Sequence, residues 1–245
     1  VTLLIRDCLG EACEPLRKVE VPPVEVEDVR TFTRGLTELH KQETGLSNRL
    51  QTLLRAQGID AAFVEGFKER LPELVTGDGR KLGPWLLSEL AQLSDQLQWI
   101  RDCIRAREEE RLRMVAKPEN ELEQKVRNLA GLRGVGPVAA TVLIYEMFGW
   151  RSFKNGKKVG SYLGLAPTPY ASGTMQRDQG ISKAGPGDLR ALMIQLAWAW
   201  LRYQPDSDLS RWYHGKFGGT GKRARRVGIV AVARKLAVIL WKYAA

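Results

Sequence analysis

The chain has 245 residues, 44% of them hydrophobic, with 38 Lys+Arg against 28 Asp+Glu and a formal net charge of +10. That length and apolar content can bury a core and suit two units, which excludes a disordered chain, while the positive balance suits a polyanionic partner. Only three cysteines (Cys8, Cys13, Cys103) and two histidines (His40, His214) occur, with no CxxC pair and no apolar run of membrane-span length. A disulfide framework, a zinc site and a membrane anchor are excluded, and a cytoplasmic protein with reduced thiols is expected.

Residues 1–25 end in VPPVEV, and Pro22 and Pro23 mark a linker after a short apolar segment. Residues 26–117 read as a coiled-coil-like helical unit. Val29, Phe32, Leu36, Leu39, Leu46, Leu50 and Leu53 recur at steps of three and four, with Glu43 in one apolar slot, and Gly58 marks the stop. A shorter helix and the loop TGDGRKLGP follow in 59–83. A second stripe then runs through Leu86, Leu90, Leu93, Leu97, Ile100 and Ile104 and gives way to charge in RAREEERLR. Two such helices predict an antiparallel coiled-coil hairpin or an ordinary helical subdomain. Their narrow apolar stripes also suit pairing between protomers, so a homo-oligomer is expected.

Residues 118–245 open a second unit after Pro118. A helix over 121–129 leads into LRGVGPVAATVLIYEMFG, residues 150–158 read as a basic turn, and 159–165 as a short helix. A loop rich in Gly, Pro and Ser follows and carries Ser172. Leu189, Leu192, Met193, Leu196 and Trp200 define an amphipathic helix, with Trp198 and Tyr203 off that stripe. Residues 214–226 read as a Gly-rich basic loop. Residues 229–241 are apolar on nearly all sides apart from Arg234 and Lys235, which predicts a buried closing helix. Period-two alternation is scarce, so the fold is expected to be mostly α.

Charge is unevenly placed. Residues 151–245 hold 17 Lys+Arg against 4 Asp+Glu, and the first 150 residues hold 21 against 24. Such lopsidedness favours a nucleic-acid face over general solubility. Arg133-Gly134-Val135-Gly136-Pro137 reads as a helix-hairpin-helix-like turn. Its glycines Gly134 and Gly136 allow a tight backbone whose N–H groups can meet a phosphate, and a plain interhelical turn is the other reading. Lys154, Lys157 and Lys158 form one basic cluster, and Lys222, Arg223, Arg225 and Arg226 another. Each suits a phosphate backbone or a solvated face. The GGTGK run fails the Walker pattern, because Lys216 stands where its first Gly belongs and Arg223 replaces the Ser/Thr. Ser172, before Gly173, has no Ser-His-Asp set or GxSxG elbow to support it, and on its residues alone a turn role is the ordinary reading and a nucleophilic one the exception. Ser161 and Ser182 are rival hydroxyls.

The runs LRGVGPVAA, FGWRSFKN, VGSYLGLAPTPYASG, QGISKAG, LAWAWLRYQPDS and GGTGKRARRVGIVAVARKL resemble the C-terminal domain of DEDD-type bacterial insertion-sequence transposases, the bridge-RNA-guided recombinases. VPPVEVEDVR and NRLQTLLRAQGI resemble the segment joining that family's two domains. The resemblance implies that Ser172 is the nucleophile of a Tyr-x-Ser-Gly motif, with Arg177, Lys183 and Arg190 supporting a phosphate. It also implies double-stranded donor and target DNA, a structured non-coding guide RNA, and a nucleoid-associated bacterial setting. The family's acidic magnesium site lies in an N-terminal RuvC-like domain that is expected to be missing from this sequence, so no metal ligands are expected here and the chain alone is expected to be inactive. The alternative is a non-catalytic nucleic-acid-binding module built on the helix-hairpin-helix-like turn.

Overall fold

The computed structural model describes residues 20–60, 66–172, 175–219 and 221–245, with 169–172 and 175–179 described by backbone alone. The expected remnant before residue 20, with Cys8 and Cys13, lies outside the described residues. The fold is mostly α.

Two long helices, α1 (Val24–Arg55) and α3 (Pro84–Ala116), pack antiparallel. The order of their cross-links fixes the direction: Arg49 meets Glu89, Glu43 meets Arg101, and Phe32 lies under Arg107. Leu50, Leu54, Leu90, Leu93 and Leu97 make one buried cluster at the connected end, and Leu36, Ile100 and Ile104 a second nearer the middle. Glu43 does not break the seam. Its carboxylate accepts a hydrogen bond from Arg101 Nε at 3.0 Å, so the charge in the apolar slot is matched across the pair. Between the helices, α2 (Phe67–Arg70) and a 3₁₀ turn (Leu71–Glu73) close the end, with Phe67 and Leu71 buried.

The remaining elements surround a separate core. They are α4 (Glu121–Ala130), α5 (Pro137–Leu143) with a π-helical continuation (Ile144–Phe148), α6 (Gly156–Tyr162), strands β1 (Pro167–Ser172) and β2 (Met175–Ile181), α7 (Gly187–Tyr203), α8 (Asp208–Phe217) and α9 (Lys222–Ala244). Local signals set several starts. Asn120 caps α4 by accepting from Glu123 N, Asn155 caps α6 through Lys158 N, and Ser207 caps α8 through Ser210 N. Leu129, Leu143, Ile144, Met147, Met193 and Leu236 are fully buried at the centre.

The structure revises four expectations. The Ser172 segment is not an irregular loop: β1 and β2 pair antiparallel as a two-stranded hairpin. Its sequence hid this because PTPYAS has no apolar alternation and carries two prolines. Proline is tolerated there because each strand of such a sheet is an edge strand. The basic run 214–226 is not one loop. Helix α8 reaches Phe217 and α9 begins at Lys222, so Lys222, Arg223, Arg225 and Arg226 lie on the first turns of a helix. Likewise 150–158 is not wholly a turn, since the Asn155 cap starts α6 at Gly156 and puts Lys157 and Lys158 on that helix. Finally α9 is not enclosed on all sides. Val227 and Ile239 are exposed with Arg234 and Lys235, while Val232, Leu236 and Leu240 face the core.

Candidate nucleic-acid interface

The joint between the helical pair and the second unit is a half-buried carboxylate. Glu146, in the π-helical turn, accepts from Arg30 Nε at 3.0 Å and from Arg34 Nε and Nη2 at 2.9 Å each. Burial pushes the Glu146 carboxyl up, but the hydrogen bonds and charges of Arg34 and Arg30 outweigh it and hold the group below the usual carboxylate range. Arg30 also stacks over Trp150, and Arg151 lies between Trp150 and Tyr162. Sequence reasoning missed this joint. The signal was a lone Glu inside the apolar run VLIYEMF, a position that calls for a buried partner.

The turn between α4 and α5 spans residues 131–136. Gly134 has φ +93°, and a Cβ there would stand 3.3 Å from the Ala199 carbonyl oxygen of α7. Only glycine combines that backbone with so close an approach. Gln204 Nε2 donates to the Arg133 carbonyl at 2.6 Å, which ties the turn to the end of α7. Gly136 precedes Pro137, the first residue of α5, and is exposed. Trp198 and Tyr203 are half-exposed on the same α7 rather than packed inside.

The hairpin base is tightly knit. Ser182 N donates to the Ala166 carbonyl at 2.9 Å, and Lys183 N to the Gly164 carbonyl at 3.1 Å. Arg190 Nη1 donates to the carbonyls of Lys183 at 3.1 Å and Leu163 at 3.5 Å. Lys183 has φ +54°, a left-handed conformation in a residue with a side chain. Its ammonium is exposed and Arg190 is half-buried.

Ser172 pairs with Met175 at the far end, and Arg177 pairs with Tyr170. The side chains of Ser172 and Arg177 lie outside the described residues. Five steps from Pro167 to Ser172 span about 17 Å at the rise of a strand. The fold therefore brings Lys183 and Arg190 together at the base and sets them apart from Ser172. Ser161 is exposed in α6, and Ser182 directly follows β2.

The cations separate by unit. In the helical pair they face acids: Arg49–Glu89 at 2.6 Å, Lys68–Asp95 at 2.7 Å, Arg101–Glu43 at 3.0 Å. Among the described residues, Lys154, Lys157, Lys158, Lys222, Arg223, Arg225 and Arg226 have no ion-pair partner, and all are exposed. Four of them crowd the start of α9, where the first turn holds no acidic residue. Cations at a helix N-terminus oppose the helix dipole, so this arrangement costs stability unless an anion is bound. Among the described residues, no group of three or more His, Cys, Asp or Glu could hold a metal ion, and no helix is long and apolar enough to cross a membrane.

Fold and charge thus define a class: an ion-paired antiparallel helical pair clamped onto a cation-rich helical unit that carries a β-hairpin. Residues 126–211 match the model of the Transposase IS116/IS110/IS902 family, covering α5, α6, the hairpin and α7 together with the second half of α4 and the start of α8. The chain is 40% identical over 242 residues to a putative transposase, y4rJ, of Sinorhizobium fredii, covering 94% of this chain and 60% of that protein. It is 30% identical over 229 residues to the transposase for insertion sequence element IS1111A of Coxiella burnetii, covering 92% of this chain and 61% of that protein. A probable family 20 transposase of Pseudomonas aeruginosa is 29% identical over 238 residues, covering 96% of this chain and 68% of that protein. The sequence is thus similar to IS110/IS116 family transposases, by the family model over residues 126–211 and by named transposases over most of its length. The chain spans about three fifths of the length of the first two of these relatives.

Proposed function

We propose that this chain is the DNA-handling part of an insertion-sequence transposase that cleaves and rejoins donor and target DNA with Ser172 as nucleophile. The observation that carries the reading is the set of unpartnered cations on the second unit, in a sequence that resembles transposases over nearly its whole length. Lys222, Arg223, Arg225 and Arg226 meet the phosphate backbone, with Lys154, Lys157 and Lys158 as a second contact line. The turn bearing Gly134 and Gly136 grips backbone in the manner of a helix-hairpin-helix. Such contacts fix position without reading sequence, so choice of site falls to another component, and a structured guide RNA fills that role in this reading.

In the chemical step a bond forms between Ser172 Oγ and a phosphorus. The sugar oxygen leaves as a hydroxyl and takes up the proton that the serine gives up. Rejoining is the reverse reaction with a different strand hydroxyl. Arg190 and Lys183 are placed to hold the base of the hairpin, and Arg177, opposite Tyr170, lies nearer the reacting end. Cations near the phosphorus stabilise the charge that builds on its oxygens. The magnesium of this reading belongs to acidic residues of an upstream RuvC-like domain, and no step assigned to this chain runs through it. The helical pair serves as the contact between protomers, so that Ser172 of one subunit works with the acids of another.

The test is Ser172→Ala in the full-length transposase with its guide RNA and both DNA substrates. Strand cleavage and the covalent protein–DNA adduct should fall to background while DNA binding is kept. Ser161→Ala and Ser182→Ala should retain cleavage. Recombination at the unmodified level by the Ser172 variant would leave a binding module without catalysis.

A further inference from the structure

The outer face of α9 is a groove. Val230, Ala231, Arg234, Lys235, Val238 and Ile239 line two adjoining cavities of about 580 and 390 Å³. The cavities share Trp212, Arg234 and Lys235, so they lie side by side along α9. One opens beside Gly156 and Lys157 at the start of α6. The other ends at Pro167, Gly180 and Ile181, at the base of the hairpin that carries Ser172.

The lining combines two chemistries. Its floor is aliphatic, with one half-buried indole, Trp212, set edge-on to Phe217 at 5.8 Å between centroids. Its cations are Lys157, Arg234 and Lys235, which have no ion-pair partner among the described residues, and Lys235 Nζ stands 3.9 Å over the Trp212 ring. The one acid in the lining, Asp208, is engaged by Arg211 at 2.6 Å. The groove thus offers an apolar wall, an aromatic ring and net positive charge.

We propose that this groove binds unpaired nucleotides of a single-stranded nucleic acid, with a base against Trp212 and the aliphatic floor and phosphates on Arg234, Lys235 and Lys157. A duplex keeps its base faces stacked, so an apolar wall gains nothing from it, whereas a single strand presents those faces. Phosphate contact alone needs only cations on an open surface, as at the start of α9. An acidic peptide would also meet the cations. The surrounding 17 Lys+Arg against 4 Asp+Glu over residues 151–245 favour a polyanion longer than the groove. The inference rests on the second unit being a nucleic-acid face and adds the strand state that this part of it selects.

The test compares binding of four probes to the whole chain: oligothymidylate, oligouridylate and an abasic oligodeoxynucleotide, each about twelve nucleotides long, and a duplex of that length. Trp212→Leu should weaken binding to the two base-bearing single strands by roughly five- to a hundredfold, the range that base stacking on an aromatic side chain supplies. Its binding to the abasic strand and the duplex should stay within about twofold. Trp212→Tyr, which keeps a stacking ring, should restore most of the loss, and restoration excludes a folding defect. Arg234→Gln with Lys235→Gln should weaken the base-bearing and abasic single strands alike. Loss on both base-bearing strands assigns the groove to either sugar, and loss on one assigns that strand. Equal loss by Trp212→Leu on duplex and single strand, or no loss on single strands, overturns the proposal. Absence of any nucleic-acid binding by the unmodified chain overturns the broader reading on which it rests.

Discussion

Gly185 shows how one missing side chain can hold a site together. Its φ is +123°, and a Cβ built on it runs into the Tyr162 carbonyl oxygen. The segment must pass this close so that Lys183 N can reach Gly164 and Arg190 can hold both chain segments. Gly185→Ala should therefore destabilise the fold by at least about 2 kcal/mol, read as a fall in the thermal midpoint. A midpoint unchanged within error would mean that the hairpin base is not built as described. The glycine-rich run was visible in the sequence as a place of special backbone. Which glycine meets which carbonyl was not, because that depends on α6 and α7 arriving together.

The coupling of elements depends most on Glu146. Its carboxylate ties α1 to the π-helical turn through Arg30, 13% exposed, and Arg34, 54% exposed. Glu146→Gln would leave the poorly exposed Arg30 with Glu27 as its remaining acid and should cost about 1 to 2 kcal/mol, less than a fully buried pair because Glu27 persists and Arg34 is solvent-screened. The group's folded pKa lies below its ordinary value of 4.5. Its stabilisation is therefore fully present above that value and is lost as pH falls through the lowered folded pKa. Urea midpoints measured from about pH 6 down to about pH 3 should fall more steeply for the unmodified protein than for Glu146→Gln. Parallel curves would contradict the pair.

The helical pair itself was legible. The heptad stripes put Leu50, Leu90 and Leu93 in the seam, and all three are buried. Leu93→Asp places a charge in that seam and should unfold the pair, seen as lost helicity by circular dichroism. The hairpin and the joint were not legible, for two reasons. A two-stranded sheet needs no apolar alternation, and Glu146 finds its partners more than a hundred residues away in α1.

Across the whole molecule, charge is sorted into a first half whose cations mostly face acids and a second half with a surplus of exposed cations. The sequence count already separated them, since residues 151–245 carry most of the positive excess. The count could not show that acids of the first half are spent on neighbours such as Lys68 and Arg101, or that Lys154, Lys157, Lys158, Lys222, Arg223, Arg225 and Arg226 are exposed with no ion-pair partner among the described residues. Nor could it show that Lys222, Arg223, Arg225 and Arg226 sit on a helix start, where the dipole adds to their potential. The central claim is that this half holds nucleic-acid backbone. Duplex DNA binding measured against salt concentration, for the unmodified chain and for Arg223→Glu with Arg225→Glu and Arg226→Glu, tests it most directly. The account predicts affinity that falls steeply with salt, broad weakening by the triple variant whatever the DNA sequence, and a log–log slope reduced by about 0.9 for each phosphate contact removed. Unchanged affinity and an unchanged slope in the triple variant would contradict it.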